Sequence, residues 1–219
     1  MRTVAACALV LTCRWGGAFS AETPQAGRRI LIVADELSLQ FRSTPWTREL
    51  MSRILRVLDG DDVVRLVLTG SARTVGVSAE PAVGMGLVPR AVAIAEPTSA
   101  DAEELRLRSD RASSTVATAL RSLSEAGAGP IIIVYFTEGY PAFVPQPLEF
   151  VEEALRVDAT VYVIDPRGFS EAARQFDAKD WETYVSATHG SVRTLASRTR
   201  GRVLFTRGEF DAFLSGLLR

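Results

Sequence analysis

The chain has 219 residues, enough for one α/β domain with extensions at its ends. Its apolar fraction of 47% and charged fraction of 23% are ordinary for a globular protein, and a net charge of -1 supplies no field that would draw in nucleic acid. Lys179 is the only lysine and His189 the only histidine, so a histidine-based zinc site is excluded by count.

The N-terminus reads as a secretory signal over residues 1–20. Arg2 supplies the positive region, Thr3 to Cys13 the apolar stretch, and Ala18-Phe19-Ser20 a small-residue cleavage site. The alternative is a first helix or strand of the fold. The stretch is short for a membrane span, so no membrane insertion is expected once it is removed. Both cysteines, Cys7 and Cys13, fall inside it, so the processed chain carries no disulfide and no thiol chemistry. Leu11-Thr12-Cys13 offers a second, lipoprotein-like reading. The expected location is secreted or periplasmic.

A polar linker, residues 21–28, leads to a continuous apolar run at Arg29–Ala34, the pattern of a strand buried on both faces. It stops at Asp35-Glu36-Leu37-Ser38. Ser43-Thr44-Pro45 opens a helix with Leu50, Met51, Ile54, Leu55 and Leu58 at helical spacing. Val63–Leu68 reads as a second strand, and Arg73–Ser78 as its antiparallel return across a Thr69-Gly70-Ser71 turn. Glu80 to Asp110 reads as an irregular excursion with a short helix near Asp101–Leu107. Ser113-Ser114-Thr115 reads as the cap of a helix carrying Val116, Ala119, Leu120 and Leu123.

A fourth strand is expected at Ile131–Phe136, followed by Thr137-Glu138-Gly139, then a helix at Leu148–Arg156 and a fifth strand at Thr160–Ile164. A polar loop with Phe176, Trp181 and Tyr184 precedes a helix at Ser191–Thr199. Gly201, a strand at Arg202–Phe205 and a last helix with Phe210, Phe213, Leu214, Leu217 and Leu218 complete the chain. Strands alternating with helices predict an α/β, doubly wound (Rossmann-like), mostly parallel sheet with one antiparallel edge strand and helices on both faces. In such sheets ligands bind outside the carboxyl ends of the strands, which is where Asp35, Glu36, Ser38 and Glu138 fall.

These elements resemble, in order and spacing, a von Willebrand factor type A domain, and more narrowly the secreted bacterial group called VWFA-related. Leu31–Phe41 is similar to the family's first strand and metal loop. Leu58–Val64 is similar to its entry into the second strand. Val134–Gly139 stands where the family has an apolar strand followed by Thr-Asp-Gly, and Leu195–Phe205 matches its helix, glycine and final strand. The resemblance covers residues 29–219, apart from Glu80–Asp110.

It implies a non-catalytic module that binds a protein partner, often through Mg²⁺ or Mn²⁺ held by Asp-x-Ser-x-Ser, a second-loop threonine and an aspartate. Here Asp35 matches the first aspartate. The serine positions hold Leu37 and Leu39, with Ser38 between them. Thr115, or Ser114 beside it, matches the threonine, and Glu138 replaces the last aspartate. The implied candidates are Asp35, Ser38, Thr115 and Glu138, with Glu36 adjacent, forming a degenerate or absent metal site. The alternative is that Asp35 and Glu138 cap helices or accept backbone N–H bonds. The expected partner is an unidentified protein, reached through loops at Asp35–Thr44, Ser113–Thr115 and Glu138–Pro147.

Two other classes stay open. A hydrolase would use Glu36 and Glu138 as an acid/base pair. A receiver-like signalling domain would share the acidic end of the first strand, but Lys179 lies far beyond the fifth strand. Gly-rich phosphate loops and Gly-x-Ser-x-Gly elbows are absent from the sequence.

Overall fold

The computed structural model describes residues 27–77, 102–145, 148–169 and 178–218. Its strands are β1 (Arg29–Ala34), β2 (Val63–Leu68), β3 (Arg73–Val77), β4 (Ile131–Phe136), β5 (Thr160–Ile164) and β6 (Arg202–Leu204). Its helices are α1 (Thr44–Leu55), α2 (Ala102–Ser124), α3 (Leu148–Arg156), α4 (Ala178–Arg198) and α5 (Arg207–Leu217). Short 3-10 turns at Phe41–Ser43 and Pro166–Phe169 follow β1 and β5.

The strands form one sheet in the order β3-β2-β1-β4-β5-β6. All pairs are parallel except β2 with β3, which gives the predicted antiparallel edge. The chain builds outward from β1 to β3, then returns to β4 on the other side of β1 and builds outward again. The order therefore reverses between β1 and β4, and a crevice opens at their carboxyl ends.

Alternation along the strands divides the core. Ile30, Ile32 and Ala34 face α1 and α5, meeting Leu50, Met51, Ile54 and Phe210. Leu31 and Val33 face the other way, toward Val116 and Leu120 of α2, Phe150 of α3 and Val192 of α4. Both faces of β1 are thus buried, which is why its sequence is a continuous apolar run rather than an alternating one.

Gly201 belongs to this packing. A Cβ there would stand 1.6 Å from the Val161 carbonyl oxygen, so only glycine allows the chain to cross β5 on its way to β6.

Two helices depart from expectation. The helix predicted to begin at Ser113 begins at Ala102 and runs unbroken for 23 residues, absorbing the short helix expected near Asp101–Leu107. Glu103 and Glu104 occupy its first turn, where acidic side chains complement the helix dipole. The helix predicted at Ser191–Thr199 begins at Ala178, so Trp181 and Tyr184 lie on α4 rather than in a loop. The remainder of the Glu80–Asp110 excursion, Phe176, Pro147 and the N-terminal segment with its signal and cysteines lie outside the described residues. Among the described residues no helix is long and apolar enough to cross a membrane.

Candidate functional site

Strand register builds the site. Ala34 pairs with Leu68 on one side and Phe136 on the other, so β1, β2 and β4 end level. The next residues, Asp35, Thr69 and Thr137, therefore share one row at the sheet edge. The ladder extends into that row: Asp35 N donates to Phe136 O at 2.9 Å and Thr69 N to Ala34 O at 3.2 Å. By alternation, Asp35 follows Leu31 and Val33 to the α2–α4 side, as Thr137 follows Tyr135.

The Asp35 carboxylate is fully buried and surrounded by hydroxyls. Thr69 Oγ1 donates to Oδ1 at 3.0 Å, Thr137 Oγ1 to Oδ2 at 3.0 Å and Tyr135 OH to Oδ2 at 3.2 Å. Tyr140 OH reaches Oδ1 at 3.4 Å. Ser38 Oγ sits 2.6 Å from Thr137 Oγ1 and 3.3 Å from the Asp35 carbonyl oxygen. Burial pushes the Asp35 carboxyl above its ordinary value, and the hydroxyl bonds around it oppose that shift without cancelling it. Burial, then the nearby Asp35 charge, pushes both tyrosines well up, so they remain neutral donors.

Glu138, the next residue after Thr137, points to the opposite side. Its Oε1 accepts from Gln40 N at 3.0 Å and Ser43 Oγ at 2.6 Å, fastening β4 to the turn that enters α1. Its Oε2 lies 3.8 Å from Arg167 Nε. Arg167 is 2% exposed and grips Asp165 in fork geometry, Nε to Oδ1 at 2.9 Å and Nη2 to Oδ2 at 2.6 Å. The same Nη2 donates to the Glu138 carbonyl at 2.8 Å and to Thr188 Oγ1 of α4 at 2.9 Å. Gly139 then turns with φ +77, where a Cβ would strike Ser191 Oγ at 2.6 Å.

The predicted residues thus separate into three places. Asp35 and Ser38 join one cluster, Glu138 anchors a second, and Thr115 lies inside α2. This corrects the reading of Ser113–Thr115 as a strand-end loop. In the helix it is Ser113 that turns inward, its Oγ accepting Phe150 N at 3.0 Å and so securing the first turn of α3. Glu36 accepts Ser71 N at 3.2 Å across the β2–β3 turn.

Sequence reasoning assigned no site role to Thr69, Tyr135, Tyr140, Asp165 or Arg167. The available signal was positional: each lies in or just after a strand that ends at the same edge.

A hard divalent ion takes about six oxygens in near-octahedral geometry. Leu37 and Leu39, at the expected serine positions, are 8% and 0% exposed and belong to the core. Both Asp35 oxygens already accept hydroxyl bonds, and Glu138 belongs to a different network. Among the described residues no group of three or more His, Cys, Asp or Glu side chains converges. The residues present do not fit such an ion. His189, half-buried, packs on Phe205 at 5.0 Å between ring centroids; its Nε2 is buried without a hydrogen bond, and burial lowers its pKa.

In comparison with known proteins the chain matches no family model and no curated protein. The class of protein defined by fold and site is an α/β domain with a doubly wound sheet and two buried polar clusters at its carboxyl edge.

Proposed function

We propose that this chain is an exported, non-catalytic protein-binding module of the von Willebrand factor A kind. It docks its partner at the carboxyl edge of the sheet, and hydroxyls around Asp35 stand where related sites hold an ion. The observation that carries the reading is a pair of exposed aromatic side chains at that edge. Phe41 is 72% exposed after β1 and Phe143 is 66% exposed after β4. β1 and β4 are neighbours, so both loops leave the same carboxyl edge and flank the crevice, one turning toward α1 and the other toward α3. Aromatic side chains are enriched in protein interfaces, because they bury large area for few rotatable bonds. The two polar clusters beneath hold both loops in place.

No observation favours the hydrolase reading. Glu36 and Glu138 each accept backbone N–H bonds, the role of structural carboxylates.

The test immobilises the wild-type domain, a Phe41→Ser/Phe143→Ser variant and a Leu155→Ser control on α3, whose leucine is 50% exposed. Wild type and control should retain the same exported proteins, the double variant should lose them, and chelator should change nothing. Equal retention by the double variant would sink the docking surface. Loss of retention on adding chelator, restored by Mg²⁺ or Mn²⁺, would sink the metal-free part.

A further inference from the structure

Beside the Asp35 cluster, between α2, β4, α3 and α4, lies a half-enclosed cavity of about 40 Å³. That volume holds roughly three water-sized groups. Ser109 and Ser113, one helical turn apart on α2, form one wall, and Tyr135 and Tyr140 another; Phe150 and Leu195 are among its apolar residues. No charged residue is among the described residues that line it.

The hydrogen bonds around the cavity are unevenly spent. Ser109 is 1% exposed, and its Oγ is buried with no hydrogen-bond partner. Leaving such a hydroxyl unpaired is costly, so a group in the cavity that pairs with it is favoured. Ser113 Oγ accepts from Phe150 N, so its own proton is free to donate into the cavity. Tyr135 and Tyr140 give their protons to Asp35, so each keeps lone pairs able to accept. By contrast, Ser191 Oγ accepts from Tyr140 N and donates its only proton to Thr188 O, so it has no donor left for the cavity. The cavity thus presents unspent donors and acceptors in an apolar shell without a formal charge of its own.

The geometry points to a ligand site here, separate from the docking surface. It takes an uncharged group that both donates and accepts, a hydroxyl or a primary amide, carried on a short apolar stem. The polar head pairs with Ser109 and Ser113 while the stem lies against Phe150 and Leu195. A carboxylate is disfavoured because Asp35 lies directly behind the tyrosines and no cation is among the described residues of the wall. An ammonium group is disfavoured because the narrow apolar shell strips its water.

The probes are ethanol and acetamide, titrated into the whole domain and followed by amide chemical shifts, with acetate and ethylammonium as charged counterparts. Saturable shifts at Ser109, Ser113 and Tyr140 are expected for the neutral probes alone. Ser109→Ala keeps a good helix former and should weaken acetamide about fivefold, the loss of one hydrogen bond. Ser122→Ala, on the outer face of α2, should leave binding unchanged. Strictly linear shifts would overturn the site and mean that the cavity holds only water. Equal affinity in Ser109→Ala, or saturable binding of acetate as tight as acetamide, would overturn it too. None of these outcomes depends on whether a protein partner docks at Phe41 and Phe143.

Discussion

Thr137 and Glu138 are neighbours in the chain, yet they serve two clusters of opposite character. Thr137 faces a lone carboxylate, Asp35, held by neutral hydroxyls. Glu138 shares a network with Arg167 and Asp165, in which a buried cation compensates buried anions. The same edge therefore shows two solutions to one problem, how to keep polar groups dry at the end of a parallel sheet. Hydroxyls satisfy the geometry of a carboxylate but not its charge. A guanidinium satisfies both, and makes the cluster depend on one side chain.

The strongest way to break this contrast is Arg167→Met. It leaves Asp165 and Glu138 buried without their cation, and removing one partner of a buried ion pair costs about 4 kcal/mol. Urea unfolding should show that loss as a lower midpoint. Replacing Asp165 with leucine in the same chain should recover part of it, since the anion left behind is the main penalty.

Asp35→Ala should cost less, about 3 kcal/mol, by leaving hydroxyl donors without an acceptor. Asp35→Asn keeps the shape and isolates the charge. Because the folded protein holds the Asp35 proton more tightly than the unfolded chain does, Asp35 favours folding most in acid. That contribution is complete below the ordinary carboxylate value of 3.8 and is lost as pH rises through the raised folded value. Unfolding free energy measured against pH should therefore fall across that window in wild type relative to Asp35→Asn. A flat difference between the two would show that Asp35 titrates normally.

The fold was legible because its signals are local and doubled. β1, β4 and β5 are short apolar runs with acidic residues just beyond them, and apart from the β2–β3 hairpin the strands alternate with helices, so the sheet follows from sequence. All six strands lie where expected, β6 ending one residue earlier and β3 described as far as Val77. The site was half legible. Asp35 and Glu138 stand out as charges at the ends of buried runs. The hydroxyls do not, because Thr69 and Tyr135 acquire their role from register between strands far apart in sequence. Ser113-Ser114-Thr115 misled for a related reason. Hydroxyl residues favour caps, but within a helix packed on one side they can face inward, and Ser113 caps a neighbouring helix instead of its own. Arg167 gave no periodic signal at all; its burial depends on Asp165 and on α4 closing over it.

The finest version of the comparison uses two serines of the same chain segment. Ser43 Oγ donates directly to Glu138 at 2.6 Å, a hydrogen bond to a charged acceptor, and Ser43→Ala should cost about 2 kcal/mol. Ser38 Oγ pairs with a neutral hydroxyl, Thr137 Oγ1, and is itself half-buried. Water can replace it, and Thr137 still reaches Asp35 without it. Ser38→Ala should therefore cost only about 1 kcal/mol. Unfolding midpoints of the two variants, taken side by side, decide the point. If Ser38→Ala proved as costly as Ser43→Ala, the hydroxyl cluster would act as one cooperative network, with Ser38 setting the Thr137 proton toward Asp35. If the costs differ as expected, Thr137 holds its orientation through Asp35 and the Gly139 N–H bond, and Ser38 only closes the outside of the cluster.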